Sequence, residues 1–381
     1  MFHSVFDGFE TFLFVPGKTS RSGVHIHDSI DSKRTMSVVV MALMPALLFG
    51  MYNVGYQHYL ATGAAPGYLM TFVYGLLAVL PKIVVSYAVG LGIEFTVAQL
   101  KKEEIHEGFL VSGMLIPLIV PVETPLWMIG VATAFAVVFA KEVFGGTGYN
   151  IFNVALVTRA FLFFAYPASM SGDLPFVRTS ATFGMGGGPV VDAFSGATPL
   201  VQICTATKET LESLHAVDIV GNPLTTLDYI VGLLPGSIGE TSVIAIMLGA
   251  AILLFMGVAS WKTMLSVFVG GGVMAVLFNL IGTTVAMSIS PLDHLFLGGF
   301  AFGAVFMATD PVTSARTETG KYIYGLLVGA FAIVIRILNP GYPEGMMLAI
   351  LLMNAFAPLI DHYVVQGNIR RRLQRVKNKI N

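Results

Sequence analysis

Long apolar runs separated by short polar connections dominate this chain. Runs that reach, or nearly reach, the roughly 20 residues of a membrane-spanning helix lie at 37–57, 69–99, 126–141, 242–260, 263–289, 323–338 and 344–364. Three further apolar runs, 108–121, 150–166 and 293–309, are short or are interrupted by proline, glycine or asparagine, which is typical of half-helices buried inside a membrane protein. The pattern predicts an all-α integral membrane protein with about ten transmembrane helices, some of them broken.

The basic residues at the two ends of the chain predict its orientation. Lysine and arginine are frequent before residue 35, and the tail 370–379 is more basic still. Because lysine and arginine close to a membrane span favour the cytoplasmic side, both termini are predicted to be cytoplasmic, which requires an even number of crossings. Half of the crossings would then precede the long polar stretch 167–226, which would face the outside.

An internal repeat relates the two halves of the chain. Residues 130–138 resemble 325–334 if one residue is inserted, and each run is followed by a glycine-rich break. Apolar helices rich in glycine and alanine also resemble one another by composition alone, so this alternative stays open. We predict two inverted repeats of about five helices each. The resulting divisions are a cytoplasmic N-terminal segment (1–36), a first transmembrane repeat (37–166), an outward polar loop (167–241), a second transmembrane repeat (242–364) and a basic cytoplasmic tail (365–381).

Composition narrows the chemistry that the chain can perform. Of its 381 residues, 55% are hydrophobic and 11% are charged, against about 25% charged in soluble proteins. The net charge of −1 provides no field that would attract nucleic acid, and we interpret the basic tail as a solvated topology anchor. Cys204 is the single cysteine, which excludes internal disulfides and any iron–sulfur or zinc site made by this chain alone. If this chain carries electrons, organic cofactors must carry them.

Four small residues in the polar loop, Ser195, Gly196, Ala197 and Thr198, form the most informative short segment. We expect this segment to be exposed near the membrane surface, where a modifying enzyme can reach the Thr198 hydroxyl. The alternative is an ordinary turn, which is the usual meaning of four small residues.

Seven blocks spread over nearly the whole chain carry a resemblance to a known family. They lie at 12–18, 27–34, 49–55, 140–148, 159–167, 235–241 and 342–350. Together with the Ser-Gly-Ala-Thr segment, they resemble the B subunit of the sodium-translocating NADH:quinone oxidoreductases, within the NqrB/RnfD family. The related D subunit of Rnf complexes shares that segment and the later glycine-rich blocks. It is not expected to contain the blocks at 16–18 and 51–55.

The resemblance implies a function. Such a chain would be a multi-pass subunit of a Na⁺-translocating NADH:ubiquinone reductase in the bacterial inner membrane, part of a six-subunit assembly, A to F. Electrons would pass through covalently bound FMN and noncovalent riboflavin to ubiquinone, coupled to outward Na⁺ transport. NADH would be oxidised on another subunit, since no Gly-x-Gly-x-x-Gly opens a βαβ unit here. The alternatives are an Rnf subunit, which would serve ferredoxin:NAD electron transfer, and a secondary transporter without a redox role.

The resemblance also assigns the FMN site. A flavin transferase would join FMN to the Thr198 hydroxyl through a phosphoester, and Ser195, Gly196 and Ala197 would leave room for it. Residues 235–240, including Ser237, Gly239 and Glu240, precede an apolar helix. Backbone amides and a hydroxyl at such a place suit a phosphate or a ring carbonyl. A glycine-rich entry into a helix explains these residues equally well.

For riboflavin, the resemblance points to Asn150 and Asn153, whose carboxamides can donate to and accept from a flavin edge. Asparagines in a broken helix also often cap freed backbone groups, and this alternative stays open. Arg159 lies about two turns further on. It is costly at membrane depth unless it is paired, and it would either balance charge on a flavin or hold Glu142.

The expected quinone and sodium residues are acidic or small. Gly90 and Glu94 match the glycine and glutamate of the family's quinone pattern, whereas Leu91 replaces its second glycine. Gly90 would let a flat ring approach the backbone, although close helix packing explains it equally well. Three carboxylates in or near apolar spans are candidates for the Na⁺ path: Glu94, Asp310 and Asp361. Capping of helix ends is the alternative for each of them.

Overall fold

The fold is known from a computed structural model that describes residues 22–24, 32–101, 108–171, 175–191, 194–206 and 216–380. Within these ranges there are fourteen α-helices and no strand, which confirms the all-α prediction. The helices are α1 (Ser32–Ala61), α2 (Tyr68–Lys101), α3 (Phe109–Leu118), α4 (Leu126–Ala136), α5 (Val154–Ala165), α6 (Pro199–Thr205), α7 (Thr226–Val231), α8 (Val243–Phe255), α9 (Trp261–Ile281), α10 (Val285–Ser288), α11 (Pro291–Phe296), α12 (Phe300–Phe302), α13 (Glu318–Leu338) and α14 (Met346–Ile380). A π-helical turn, Val137–Lys141, continues α4, and another, Gly303–Met307, continues α12.

Six helices are long and apolar enough to cross a membrane: α1, α2, α4 with its continuation, α9, α13 and α14. The other apolar runs form short helices, α3, α5 and α8, or the broken series α11 and α12. The run 242–260 gives a shorter helix than its length predicts, because the chain turns at Gly257, whose φ of +68° favours glycine. The chain is a multi-pass membrane protein. Its predicted count of about ten crossings, the orientation of its termini and its division into segments stay predictions.

Glycine and proline account for the helix breaks that the sequence predicts. Gly145, Gly146 and Gly148 all have positive φ and separate α4 from α5. Gly298 and Gly299, with φ of +62° and +65°, separate α11 from α12. These breaks place polar side chains at helix ends inside the protein, where the candidate site residues lie.

In each half of the chain, a glycine allows two long helices to pack in backbone contact. In the first half, a Cβ atom on Gly75 of α2 would lie 1.7 Å from the Met51 carbonyl oxygen of α1. In the second half, a Cβ atom on Gly329 of α13 would lie 2.0 Å from the Val267 carbonyl oxygen of α9. The α1–α2 and α9–α13 pairs are therefore in backbone contact, as small residues allow in membrane proteins. The predicted repeat is compatible with this arrangement and stays a prediction.

The described part of the polar loop packs on the second half of the chain. Leu200 and Ile203 of α6 are buried with Tyr229 of α7, and this cluster packs on Val285 and Ile289 beside α10. This cluster, which we call the loop core, is shared by the loop and the region around α10, and it determines where the Ser-Gly-Ala-Thr segment lies.

Candidate functional site

Thr198 is the N-cap residue of α6, and its hydroxyl accepts a hydrogen bond from the Val201 backbone N–H over 3.4 Å. Gly196 and Ala197 are buried and Ser195 is exposed. Thr198 itself is only 9% exposed, so the prediction of an exposed threonine is wrong. The reason is the apolar side of α6, which packs into the loop core and draws its capping residue inward.

Thr198 lines a small cavity, which we call the loop cavity, of about 40 Å³. Its other walls are the segment 234–241, the turn 296–299 and Glu344. The structure therefore brings Thr198 together with Ser237 and Glu240, two residues predicted for the same site. Gly239 serves packing instead: its N–H donates to the Leu118 carbonyl over 2.7 Å, and a Cβ atom there would lie 2.5 Å from the Leu118 side chain.

Arg159 of α5 contacts three residues that line the loop cavity. Its guanidinium donates to Glu240 Oε1 over 2.6 Å and to Ser237 Oγ over 3.2 Å, and it also forms an ion pair with Glu344. The alternative that Arg159 holds Glu142 is wrong, because the Glu142 carboxylate pairs with Lys101 over 3.3 Å.

One guanidinium therefore serves the buried Glu240 carboxylate and the partly exposed Glu344 carboxylate. Burial raises the pKa of the Glu240 carboxyl above its ordinary value, and the neighbouring Glu344 carboxylate adds to that rise while Arg159 opposes it. Among the described residues, the buried Arg159 Nε has no hydrogen-bond partner. This nitrogen is a donor still available beside the cavity.

Asn150 and Asn153 line a second cavity of about 110 Å³, which we call the asparagine cavity. Asn153 caps α5 by accepting from the Leu156 N–H over 3.2 Å, and its Nδ2 donates to Asp310 Oδ2 over 3.2 Å. The capping alternative is therefore confirmed for Asn153, although the residue still borders the cavity. Lys141 and Asp310 line the same cavity, whereas Arg159 lies with the loop cavity.

Glu94 and Gly90 lie on α2 and are not among the residues that line the asparagine cavity. Glu94 is buried and forms an ion pair with Lys141. A Cβ atom on Gly90 would lie 1.9 Å from the Phe109 ring. The ring of Phe109 therefore occupies the space beside Gly90, as expected if this glycine serves helix packing.

The three candidate sodium carboxylates are in separate places. Asp310 accepts from the Val312 N–H over 3.0 Å and the Thr313 hydroxyl over 3.1 Å. Asp361 accepts from the Arg316 and Thr317 backbone N–H groups over 2.8 and 3.0 Å. Asp310 therefore caps the backbone of its own turn, whereas Asp361 of α14 holds the distant backbone at the start of α13. Within the described ranges, no group of three or more His, Cys, Asp or Glu side chains is arranged to hold a metal ion.

Sequence reasoning missed Lys141, Glu344 and Arg336. Lys141 and Glu344 lie within blocks that carry the family resemblance, and charged residues in or beside apolar runs are candidates by default. Arg336 is fully buried and donates to the carbonyls of Leu297 and Pro343 over 3.0 and 3.1 Å. It thereby fixes the turn that forms one wall of the loop cavity.

Comparison with known proteins gives a consistent result. A family model described as the NQR2, RnfD, RnfE family matches residues 19–370. The chain is 44% identical over 399 residues to the Na(+)-translocating NADH-quinone reductase B subunit of Pseudomonas paraeruginosa, an alignment that covers 98% of this chain and 94% of the relative. The B subunits of Klebsiella pneumoniae (strain 342) and Ectopseudomonas mendocina are 43% and 41% identical, with the same coverage. The resemblance seen in the sequence is confirmed, and this chain belongs to the NQR2, RnfD, RnfE family.

Proposed function

We propose that this chain is the electron-carrying membrane subunit of a Na⁺-translocating NADH:ubiquinone reductase in the bacterial inner membrane. The observation that carries the proposal is the loop cavity, where the Thr198 hydroxyl meets Ser237 and Glu240. The names of the full-length relatives support the same activity. These names also favour this activity over that of an Rnf subunit. Sodium-stimulated ubiquinone reduction by the assembled complex would exclude the Rnf alternative.

The residues around the loop cavity fit covalent FMN. Thr198 would hold the phosphate through its hydroxyl, with Ser195, Gly196 and Ala197 on one side and the 237–240 turn on the other. Arg159 Nε, which has no hydrogen-bond partner among the described residues, is a donor suited to an anionic or carbonyl group. When bound, FMN supplies reversible electron transfer. Because Thr198 is buried once α6 has packed, the flavin transferase would act before this segment packs.

The residues of the asparagine cavity fit a noncovalent riboflavin. Asn150 and Asn153 each have a carboxamide, which can both donate and accept hydrogen bonds, and the rest of the lining is largely apolar. The role of these residues would be to orient the ring edge and to exclude water. Gly90 and Glu94 would border the ubiquinone site, and Glu94, Asp310 and Asp361 would contribute oxygen ligands along the Na⁺ path.

The partners follow from this assignment. Other subunits of the six-subunit complex would oxidise NADH and deliver electrons to the FMN of this chain. Ubiquinone and Na⁺ would be the substrates, and membrane lipid would surround the long helices. No role in binding nucleic acid is proposed.

The decisive experiment compares Thr198→Ala with Thr198→Ser in the purified complex. The alanine variant removes the hydroxyl and is expected to lack flavin fluorescence in this chain on a denaturing gel. The serine variant keeps a hydroxyl and is expected to retain at least part of the fluorescence. Mass spectrometry of the peptide that contains Thr198 should find an adduct of FMN less water. Fluorescence retained by Thr198→Ala would refute the assignment.

A further inference from the structure

Lys141 borders two of the proposed sites at once. It ends the π-helical turn Val137–Lys141, it lines the asparagine cavity, and its ammonium forms an ion pair with Glu94. Glu94 lies behind Lys141 and is not among the residues that line the cavity. The side chain of Lys141 is therefore the contact between the cavity and this carboxylate.

A purely structural role does not explain why this ion pair is buried. Lys141 is 4% exposed and Glu94 is 6% exposed. A buried ion pair gives little net stability, because the cost of removing both charges from water offsets their attraction. Two apolar residues would join α2 to the end of α4 at least as well. Moreover, π-helical turns are frequently found at functional sites, and this turn ends with Lys141 on the cavity wall.

Asp310 adds a carboxylate to the wall of the cavity itself. It is held by Asn153 and Thr313, and no cation pairs with it among the described residues. Among the described residues that line the cavity, Lys141 carries the positive charge, and Glu94 competes for its ammonium from outside the cavity. Negative charge that arrives in the cavity would attract the ammonium away from Glu94.

We propose that Lys141 is a positioning residue that is shared between Glu94 and the flavin of the asparagine cavity. Lys141 stabilises negative charge in the cavity, and the same attraction releases the Glu94 carboxylate to bind Na⁺. The proposal rests on the proposed function, which supplies both the flavin and, from the FMN on Thr198, the electron. One negative charge enters the cavity and one Na⁺ balances it at Glu94, so that no proton or further reactant is needed.

The two members of the pair should have opposite effects on the potential of the noncovalent flavin. Without Lys141, negative charge in the cavity loses its partner, and the reduction potential should fall. Without the Glu94 carboxylate, the ammonium serves the cavity alone, and the potential should rise. A pair that only joins two helices predicts no such opposition, since both losses would loosen the same contact.

The test uses the whole complex and spectroelectrochemical titration of its flavins. Lys141→Met is expected to reduce the equilibrium constant for one-electron reduction at least tenfold, a shift of about 59 mV to lower potential. Glu94→Gln is expected to shift the potential upward, and Lys141→Arg to leave it near that of the unmodified complex. The covalent FMN is an internal control whose potential should not move. Lys101→Met, which breaks the partly exposed pair with Glu142, is the matched external control.

The outcomes separate this inference from the proposed function. If the unmodified complex releases riboflavin on denaturation but the potentials in Lys141→Met and Glu94→Gln are unmoved or shift in the same direction, the role of Lys141 is refuted alone. If the unmodified complex releases no riboflavin, the proposed function and the inference fail together. Should Lys141→Met not assemble, Glu94→Gln decides: an upward shift supports the role of Lys141, and an unchanged potential overturns it.

Discussion

Arg159 donates a hydrogen bond of 2.6 Å to Glu240, which lies 81 residues later in the chain. Arg159 belongs to a short helix of the first half, whereas Glu240 ends the polar loop. The pair therefore fixes the 237–240 turn beside Thr198. Because Glu344 joins the same guanidinium from the second half, three distant segments meet at one buried charge.

Removal of this guanidinium should destabilise the fold strongly. Arg159→Met leaves the buried Glu240 carboxylate and the partly exposed Glu344 carboxylate without a cation, and breaking a buried pair such as Arg159–Glu240 from one side costs about 3–5 kcal/mol. We expect a clearly lower midpoint of thermal unfolding for the purified protein. Glu142→Gln breaks the partly exposed pair with Lys101 and should cost at most about 1 kcal/mol. Equal losses in the two variants would contradict the role assigned to Arg159.

Two glycines of α2 predict opposite effects of the same substitution. In Gly75→Ala the new methyl group would lie 1.7 Å from the Met51 carbonyl oxygen, so α1 and α2 must separate, at a cost of about 1–3 kcal/mol. A methyl group on Gly92 would have no atom within 4 Å apart from its neighbouring residues and the backbone of its own helix, so Gly92→Ala should stabilise the helix by up to about 1 kcal/mol. Unfolding of both variants in detergent measures the difference. A harmless Gly75→Ala would show that α1 and α2 are further apart than described.

The thiol of Cys204 should react slowly at neutral pH. Burial raises the pKa of Cys204 to about 11, because the thiolate is disfavoured in apolar surroundings. With the pKa about two units above its ordinary value, the thiolate fraction at pH 8 is about a hundredfold lower. Alkylation by iodoacetamide should therefore accelerate about tenfold per pH unit between pH 8 and 10. Since this is the single cysteine of the chain, mass spectrometry measures the rate directly.

The denatured chain is the control for this measurement. In urea the rate should level off near the ordinary thiol pKa, and the folded and unfolded rates should converge as the pH approaches 11. Equal rates at pH 8 would show that the thiol is not protected in the folded chain.

Asp361 should be both a capping residue and part of the sodium path. Asp361→Ala removes an acceptor for the Arg316 and Thr317 N–H groups, which should cost about 1–2 kcal/mol at the start of α13. It should also raise the Na⁺ concentration needed for half-maximal turnover of the complex. Turnover measured against Na⁺ concentration separates the two roles. An unchanged Na⁺ dependence with reduced stability would leave Asp361 as a cap alone.

Local sequence was sufficient for several features of this protein. The length of the apolar runs predicted the long helices, since about 20 apolar residues have one stable arrangement in a membrane. The glycines at 145–148 and 298–299 predicted the breaks, because their backbone conformations favour glycine. The Ser-Gly-Ala-Thr segment and the seven blocks indicated the family, which the comparisons confirm.

Contacts between distant segments decided the rest. Thr198 is buried because α6 packs on residues near 285. These residues are far from Thr198 in sequence, so the local sequence does not predict the contact. Arg159 pairs with Glu240 and Glu344, although Glu142 is much closer in sequence. Lys141 reaches Glu94 across 47 positions. Hydrophobic patterning determines which segments become helices, whereas the partner of each buried charge depends on how those helices pack, and only the tertiary structure decides that.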